Sequence, residues 1–226
     1  GRTEADRRVN VIARADGTAE LFIAPEKTSP ELQRHLGNAV TVRERAAFEG
    51  ALASLAGQRV LVDPAFGVAA ITQALAAAGA TPVAERDPTV LAKAIKNPAE
   101  QAGQRAAQAR DGAAIGRFLH WLATEVPKGG ESELSAAAQL LAFRQATGQL
   151  LDPSFNPISA AGPHAALPHY RVDADSNLPI QPGSVFLVDS GGQYRDGTTD
   201  ITRTVWIPDA AGTQPTAAQR DRFTRV

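Results

Sequence analysis

The sequence predicts an α/β fold. Short apolar runs alternate with helical stretches from residue 8 to Ala84. Two long helical segments with clear start and stop signals follow, and from Phe155 onward the pattern turns to strands and turns. Strands alternating with helices build a sheet covered by a helical layer. A length of 226 residues suits two domains. Asp87-Pro88 interrupts both periodicities, so the boundary is expected there, dividing residues 1–87 from 88–226.

In chain order, Val9 to Ala13 and Leu21 to Ala24 read as strands around the turn Asp16-Gly17. Arg45 to Leu55 fits a helix, and Val60-Leu61-Val62 reads as a short buried strand ending at Asp63-Pro64. Ala69 to Ala78 is an alanine-rich helix closed by Gly79, followed by a strand over Thr81 to Ala84. A short helix spans Val90 to Ile95. Asn97-Pro98-Ala99-Glu100 is a strong helix start, because Asn97 can cap, Pro98 suits the first helical position and Glu100 completes a capping box. That helix is expected to run to about Val126, with Ala106, Ala109, Ala113, Phe118, Leu119 and Leu122 as its apolar face, until Pro127-Lys128-Gly129-Gly130 stops it. A second helix runs from Glu133 to Thr147 and ends at Gly148. No internal repeat is present.

Composition excludes several classes. Net charge is −1, so nothing points to nucleic acid or to a membrane surface. No window holds 18 consecutive apolar residues, so no transmembrane helix is expected, and Gly1 to Asp6 contain no apolar leader core. Cysteine is absent, which removes disulfides, thiolate metal sites and cysteine nucleophiles. Methionine is absent too, even at position 1, and Asp221 to Val226 reads as helix without a stop signal. Both ends therefore read as those of a piece of a longer chain.

The chemistry is concentrated in residues 184–206. Val185 to Val188 is a continuous apolar run, expected as a strand buried on both faces, with Asp189 at its end. A second strand over about Thr199 to Trp206 carries Asp200. Gly191-Gly192 and Asp196-Gly197 let the chain reverse between them, so the two carboxylates can face each other across paired strands. Bare carboxylates sharing a site repel, and divalent cations relieve that repulsion. Oxygen ligands with an imidazole suit manganese, cobalt or zinc. The competing reading is that Asp189 merely ends a strand and Asp200 pairs with Arg203.

The stretch Val188-Asp189-Ser190-Gly191-Gly192-Gln193-Tyr194-Arg195-Asp196-Gly197-Thr198-Thr199-Asp200-Ile201-Thr202-Arg203-Thr204 resembles the Xaa-Pro aminopeptidases of the creatinase, prolidase and methionine aminopeptidase superfamily. Ile158 to Tyr170 looks like the segment that supplies that family's active-site histidine. Ala94 to Glu100, followed by Arg110-Asp111-Gly112, looks like the opening of its catalytic domain. The resemblance implies part of a creatinase-like N-terminal α/β domain over residues 1–87, followed by the first half of a pita-bread catalytic domain over 88–226. It further implies that Asp189 and Asp200 bind two divalent metal ions, manganese first, and that His169 helps to bind substrate and stabilise developing charge. The implied reaction is metal-assisted hydrolysis releasing an N-terminal residue when proline follows it, by an enzyme that forms a homodimer. Thr202 is a candidate to hold a metal ligand in place, and Arg203 a charge partner. Tyr170 and Tyr194 are expected to pack or line a pocket, His120 to be structural, and His35 and His164 have no evident partner.

The family's site uses two aspartates, one histidine and two glutamates as ligands. Only the two aspartates stand in matching positions, so the other three ligands and the catalytic glutamate are expected beyond Val226. The 226 residues alone are expected to be inactive. Alternatives are a prolidase-type dipeptidase and a non-catalytic peptide-binding module of the same fold. The run Asp196 to Thr204 favours the aminopeptidase branch, and the intact aspartates weigh against the non-catalytic module.

Overall fold

The structure, a computed structural model, describes residues 9–226. The opening residues Gly1 to Asp6, read above for a leader, lie outside the described residues. The fold divides into two compact units, one ending at Ile95 and the other beginning at Lys96.

In the first unit, β1 (Asn10–Ala13) and β2 (Ala19–Ile23) form an antiparallel hairpin. Its turn closes on Asp16, whose carboxylate accepts from the Thr18 N–H and hydroxyl, while Gly17 supplies a φ of 86°. α1 (Pro30–Leu36), capped by Ser29, carries the chain over to β3 (Val40–Glu44), which pairs parallel to β2. Neither α1 nor β3 is expected from the sequence pattern. A 3-10 turn at Arg45–Ala47 then leads into α2 (Phe48–Ala53). β4 (Arg59–Val62), α3 (Ala69–Ala77) and β5 (Thr81–Ala84) make a parallel β-α-β unit, and α4 (Thr89–Ala94) follows. Leu52, Leu55 and Leu75 form the core, with Ile12, Val60 and Val62 packed against it. β4 is not fully buried as expected, because its side chains alternate and Leu61 is 41 % exposed.

The second unit begins with α5 (Pro98–Thr124), whose start is the capping box Asn97/Glu100. It ends in a 3-10 turn at Val126–Lys128, and Gly129 and Gly130 both take positive φ. α6 (Glu133–Gln145) opens on a second capping box at Ser132. β6 (Asp152–Pro153) and β7 (Ile158–Ala161) come next. Beyond a long connection lie β8 (Val185–Ser190), β9 (Gly192–Gln193), β10 (Ile201–Trp206) and α7 (Ala217–Arg225). The main sheet has the order β10-β8-β7, antiparallel throughout, and β6 pairs with β9. Its core joins Ile115, Phe118 and Leu122 of α5 and Ala136 and Leu140 of α6 to Phe186 and Val188 of β8.

Two expectations about this unit are corrected, the first of them in part, since Phe118 and Leu122 are buried and Leu119 packs against the core as expected. The buried stripe of α5 is Ala107, Asp111, Ala114, Ile115, Phe118 and Leu122, whereas Ala106, Ala109 and Ala113 are exposed. The helix is turned toward a buried aspartate, Asp111, rather than toward the expected alanine face. β8 is also not buried on both faces. Phe186, Val188 and Ser190 point into the core, while Val185, Leu187 and Asp189 lie on the opposite, partly open face.

Candidate metal centre

β8 is the central strand of its sheet, and Asp189 stands directly opposite Ile158 of β7 and Thr202 of β10. On the open face the Thr202 hydroxyl donates to Asp189 Oδ1 at 2.8 Å. Thr199 is buried, Asp200 exposed, Ile201 packed against the core and Thr202 exposed. This alternation puts Asp200 on the face of Thr202 and therefore of Asp189, one diagonal step away. Such diagonal neighbours are separated by roughly 7–8 Å at their Cα atoms.

No ion pair joins either aspartate to a basic side chain among the described residues. Arg203, read as a charge partner, instead donates to the Thr202 carbonyl at 2.7 Å. Two uncompensated carboxylates on one sheet face are a fitting part of a cation site, since a cation removes their repulsion. They are not a complete donor set. Among the described residues no group of three or more His, Asp or Glu side chains is placed to hold a metal ion.

His169 occupies a turn after Pro168 and is exposed. Its φ of 57° lies in the left-handed region, unusual for a residue with a Cβ, although histidine tolerates it better than most. Tyr170, immediately after it, is buried and donates its hydroxyl to Glu133 Oε2 at 2.8 Å. Burial and, among the weaker influences, the Glu133 carboxylate push the Tyr170 phenol up, against a lowering hydrogen bond with Ser176.

Glu133 is fully buried at the first turn of α6. Its Oε1 accepts from the Ala161 N–H at 2.7 Å and lies 2.9 Å from His164 Nδ1, and its Oε2 also accepts from the Leu178 N–H at 3.0 Å. This carboxylate therefore ties the end of β7 and the His164–Tyr170 turn to the helix. It also gives His164 the partner that the sequence leaves unnamed.

A second buried carboxylate, Asp111, pairs with Arg144 of α6: Nε reaches Oδ1 at 2.7 Å and Nη2 reaches Oδ2 at 3.0 Å. Burial alone would raise the Asp111 pKa, but Arg144 above all, then Tyr194 and Thr199, hold it below the usual carboxylate range. Tyr194 is pushed well up, first by burial and then by its bond to Asp111. The sequence hides both carboxylates. Glu133 reads as a plain first-turn residue and Asp111 as part of a motif without an assigned role. Their only signal is an acidic residue at a helix position whose periodicity faces inward.

The family model for metallopeptidase family M24 matches residues 102–226. The chain belongs to metallopeptidase family M24. The creatinase/prolidase N-terminal domain model matches residues 9–100. A probable Xaa-Pro aminopeptidase P of Aspergillus clavatus is 36 % identical over 92 % of this M24 chain and 32 % of its own length. Human Xaa-Pro aminopeptidase 2 is 46 % identical over 62 % of the chain and 20 % of its own length. The chain thus spans about a third, or less, of the length of these curated relatives. Among solved structures, the X-prolyl aminopeptidase of Caenorhabditis elegans, described as a cytosolic enzyme with a di-nuclear active site, superposes with a TM-score of 0.76 at 30 % identity. That superposition covers 89 % of this chain and 33 % of that one. Prolidase from Pyrococcus furiosus shares the fold at TM-score 0.64 and 20 % identity, covering 90 % of this chain and 56 % of that one.

Proposed function

We propose that the full-length protein carrying this M24 chain is a metal-dependent aminopeptidase that releases the N-terminal residue of peptides with proline in second position. The observation that carries the proposal is the placement of Asp189 and Asp200 on one open sheet face, without a basic partner among the described residues, in a chain whose curated relatives bear Xaa-Pro aminopeptidase names.

Asp189 and Asp200 are the ligands in this reading, holding two divalent cations with manganese preferred and cobalt or zinc as substitutes. When bound, such cations acidify water and polarise the substrate carbonyl. Thr202 fixes one oxygen of Asp189 and so leaves the other turned to ligation. Two carboxylates leave most of each cation's coordination open to further donors, water among them. His169, held on the open side of its turn, binds the substrate near the scissile peptide. That peptide bond is a tertiary amide without an N–H, so recognition there cannot rely on a donor from the substrate. The likeness to a cytosolic di-nuclear enzyme supports a cytoplasmic location, and the family resemblance supports a homodimer.

The test is an assay of the full-length protein on an Xaa-Pro peptide with added manganese. Turnover is expected, and Asp200→Ala is expected to lower it by several orders of magnitude, on the order of 10³-fold or more. Near-normal turnover in that variant would refute the ligand assignment. The 226-residue chain alone is expected to show no turnover.

A further inference from the structure

Asp111 does more than neutralise Arg144. A carboxylate with no exposed surface is costly unless charge and hydrogen bonds compensate it, and Arg144 already supplies the charge and one bond to each oxygen. Each oxygen nevertheless accepts one bond more. Tyr194 Oη donates to Oδ1 at 2.8 Å and Thr199 Oγ1 donates to Oδ2 at 2.8 Å. Both donors come from the segment that joins β8 to β10, between Asp189 and Asp200.

Thr199 is held at every polar atom. Its hydroxyl also accepts from the Gly192 N–H at 2.8 Å, its own N–H donates to the Gly192 carbonyl at 2.9 Å, and its carbonyl accepts from Ser154 Oγ at 2.9 Å. A Cβ at Gly191 would fall on that carbonyl, so only glycine permits the approach. The next residue is Asp200. Because strand alternation turns neighbouring side chains to opposite faces, pinning Thr199 inward aims Asp200 outward, onto the face of Asp189.

We infer that Asp111, acting through Thr199, is the positioning residue that sets the Asp200 carboxylate relative to Asp189 and thereby tunes metal affinity. The inference rests on the reading of these two aspartates as metal ligands. An ion pair that served the fold alone would affect stability and leave metal affinity untouched.

The experiment uses the full-length protein stripped of metal. Thr199→Val removes the hydroxyl at nearly constant volume and leaves the Asp111–Arg144 pair intact. Titration calorimetry with manganese is expected to show affinity weakened roughly 10–100-fold. Thr199→Ser, which keeps the hydroxyl, should bind as the unmodified protein does. Tyr194→Phe removes the other bond from this segment to Asp111 and should weaken binding in the same direction, which keeps the test sharp if Thr199→Val folds poorly. Manganese affinity within about threefold of the unmodified protein in both Thr199→Val and Tyr194→Phe, with only the melting temperature lowered, overturns the inference. Failure of the unmodified protein to bind manganese overturns the ligand reading itself, and the inference with it.

Discussion

At the scale of single residues, buried carboxylates govern this molecule. Glu133 sits in the first turn of α6, where the helix dipole favours a negative charge, and both its oxygens are occupied by partners from three other segments. Replacing it by glutamine would turn an amide NH₂ toward one of two pairs of partners, each containing a backbone N–H. Glu133→Gln is therefore expected to cost about 1.5–3 kcal/mol in urea unfolding, the range for hydrogen bonds to a charged group. A loss below about 0.5 kcal/mol would show that the four contacts do not act together. Asp189 and Asp200 pose the opposite case. Asp189 is conspicuous in the sequence because it ends an apolar run, and Asp200 because the glycine-rich reversal before it lets it face Asp189. Glu133 and Asp111 are not, because their partners come from distant segments: Arg144 stands 33 residues from Asp111, and Thr199 stands 88.

At the scale of elements, α5 divides what sequence pattern can deliver from what it cannot. Its start follows from local chemistry, and the Asn97/Glu100 capping box forms as the residue types dictate. Asn97→Ala is expected to cost about 1 kcal/mol, measurable as a lowered urea midpoint. The face of the helix depends on what lies opposite, and an alanine-rich stretch offers no contrast between its sides. The buried stripe therefore ran through Asp111 rather than through Ala106, Ala109 and Ala113. That placement has a pH signature. The Asp111 carboxyl is held below its usual value, so its contribution is complete above the unfolded aspartate value near 3.9 and is lost as pH falls through the depressed folded value. Trp121 and Trp206 both belong to the second unit, so tryptophan fluorescence reports its unfolding alone. Urea unfolding followed in this way should give a free energy that falls steadily below about pH 4. In Asp111→Asn the protein should be less stable at neutral pH and that fall should be shallower. An identical acid slope in the variant would show that Asp111 is not the group responsible.

At the scale of the whole molecule, alternating elements announce an α/β protein, but strand pairing is settled between distant residues. β3 was missed because Val40 to Glu44 ends in charged residues that no burial pattern marks, and it gains its place only by pairing parallel to β2. β4 was read as buried from an apolar triplet that in fact alternates. The consequence lies at the sheet edges of the first unit. Among the described residues β1 pairs on one side only, β4 belongs to a two-stranded sheet, and Val9, Val11, Leu61 and Phe66 line one cleft of ≈ 910 Å³ there. These side chains are 45 %, 56 %, 41 % and 78 % exposed. Unpaired strand edges beside exposed apolar side chains are templates for further strand pairing, and lysine on an edge blunts that tendency. The 226-residue chain is therefore expected to self-associate as its concentration rises, seen as a growing mean mass in light scattering. Val11→Lys and Leu61→Lys together should suppress the growth while leaving the tryptophan-reported stability of the second unit unchanged. If the double variant associates as readily as the original chain, the contact lies elsewhere than on β1 and β4.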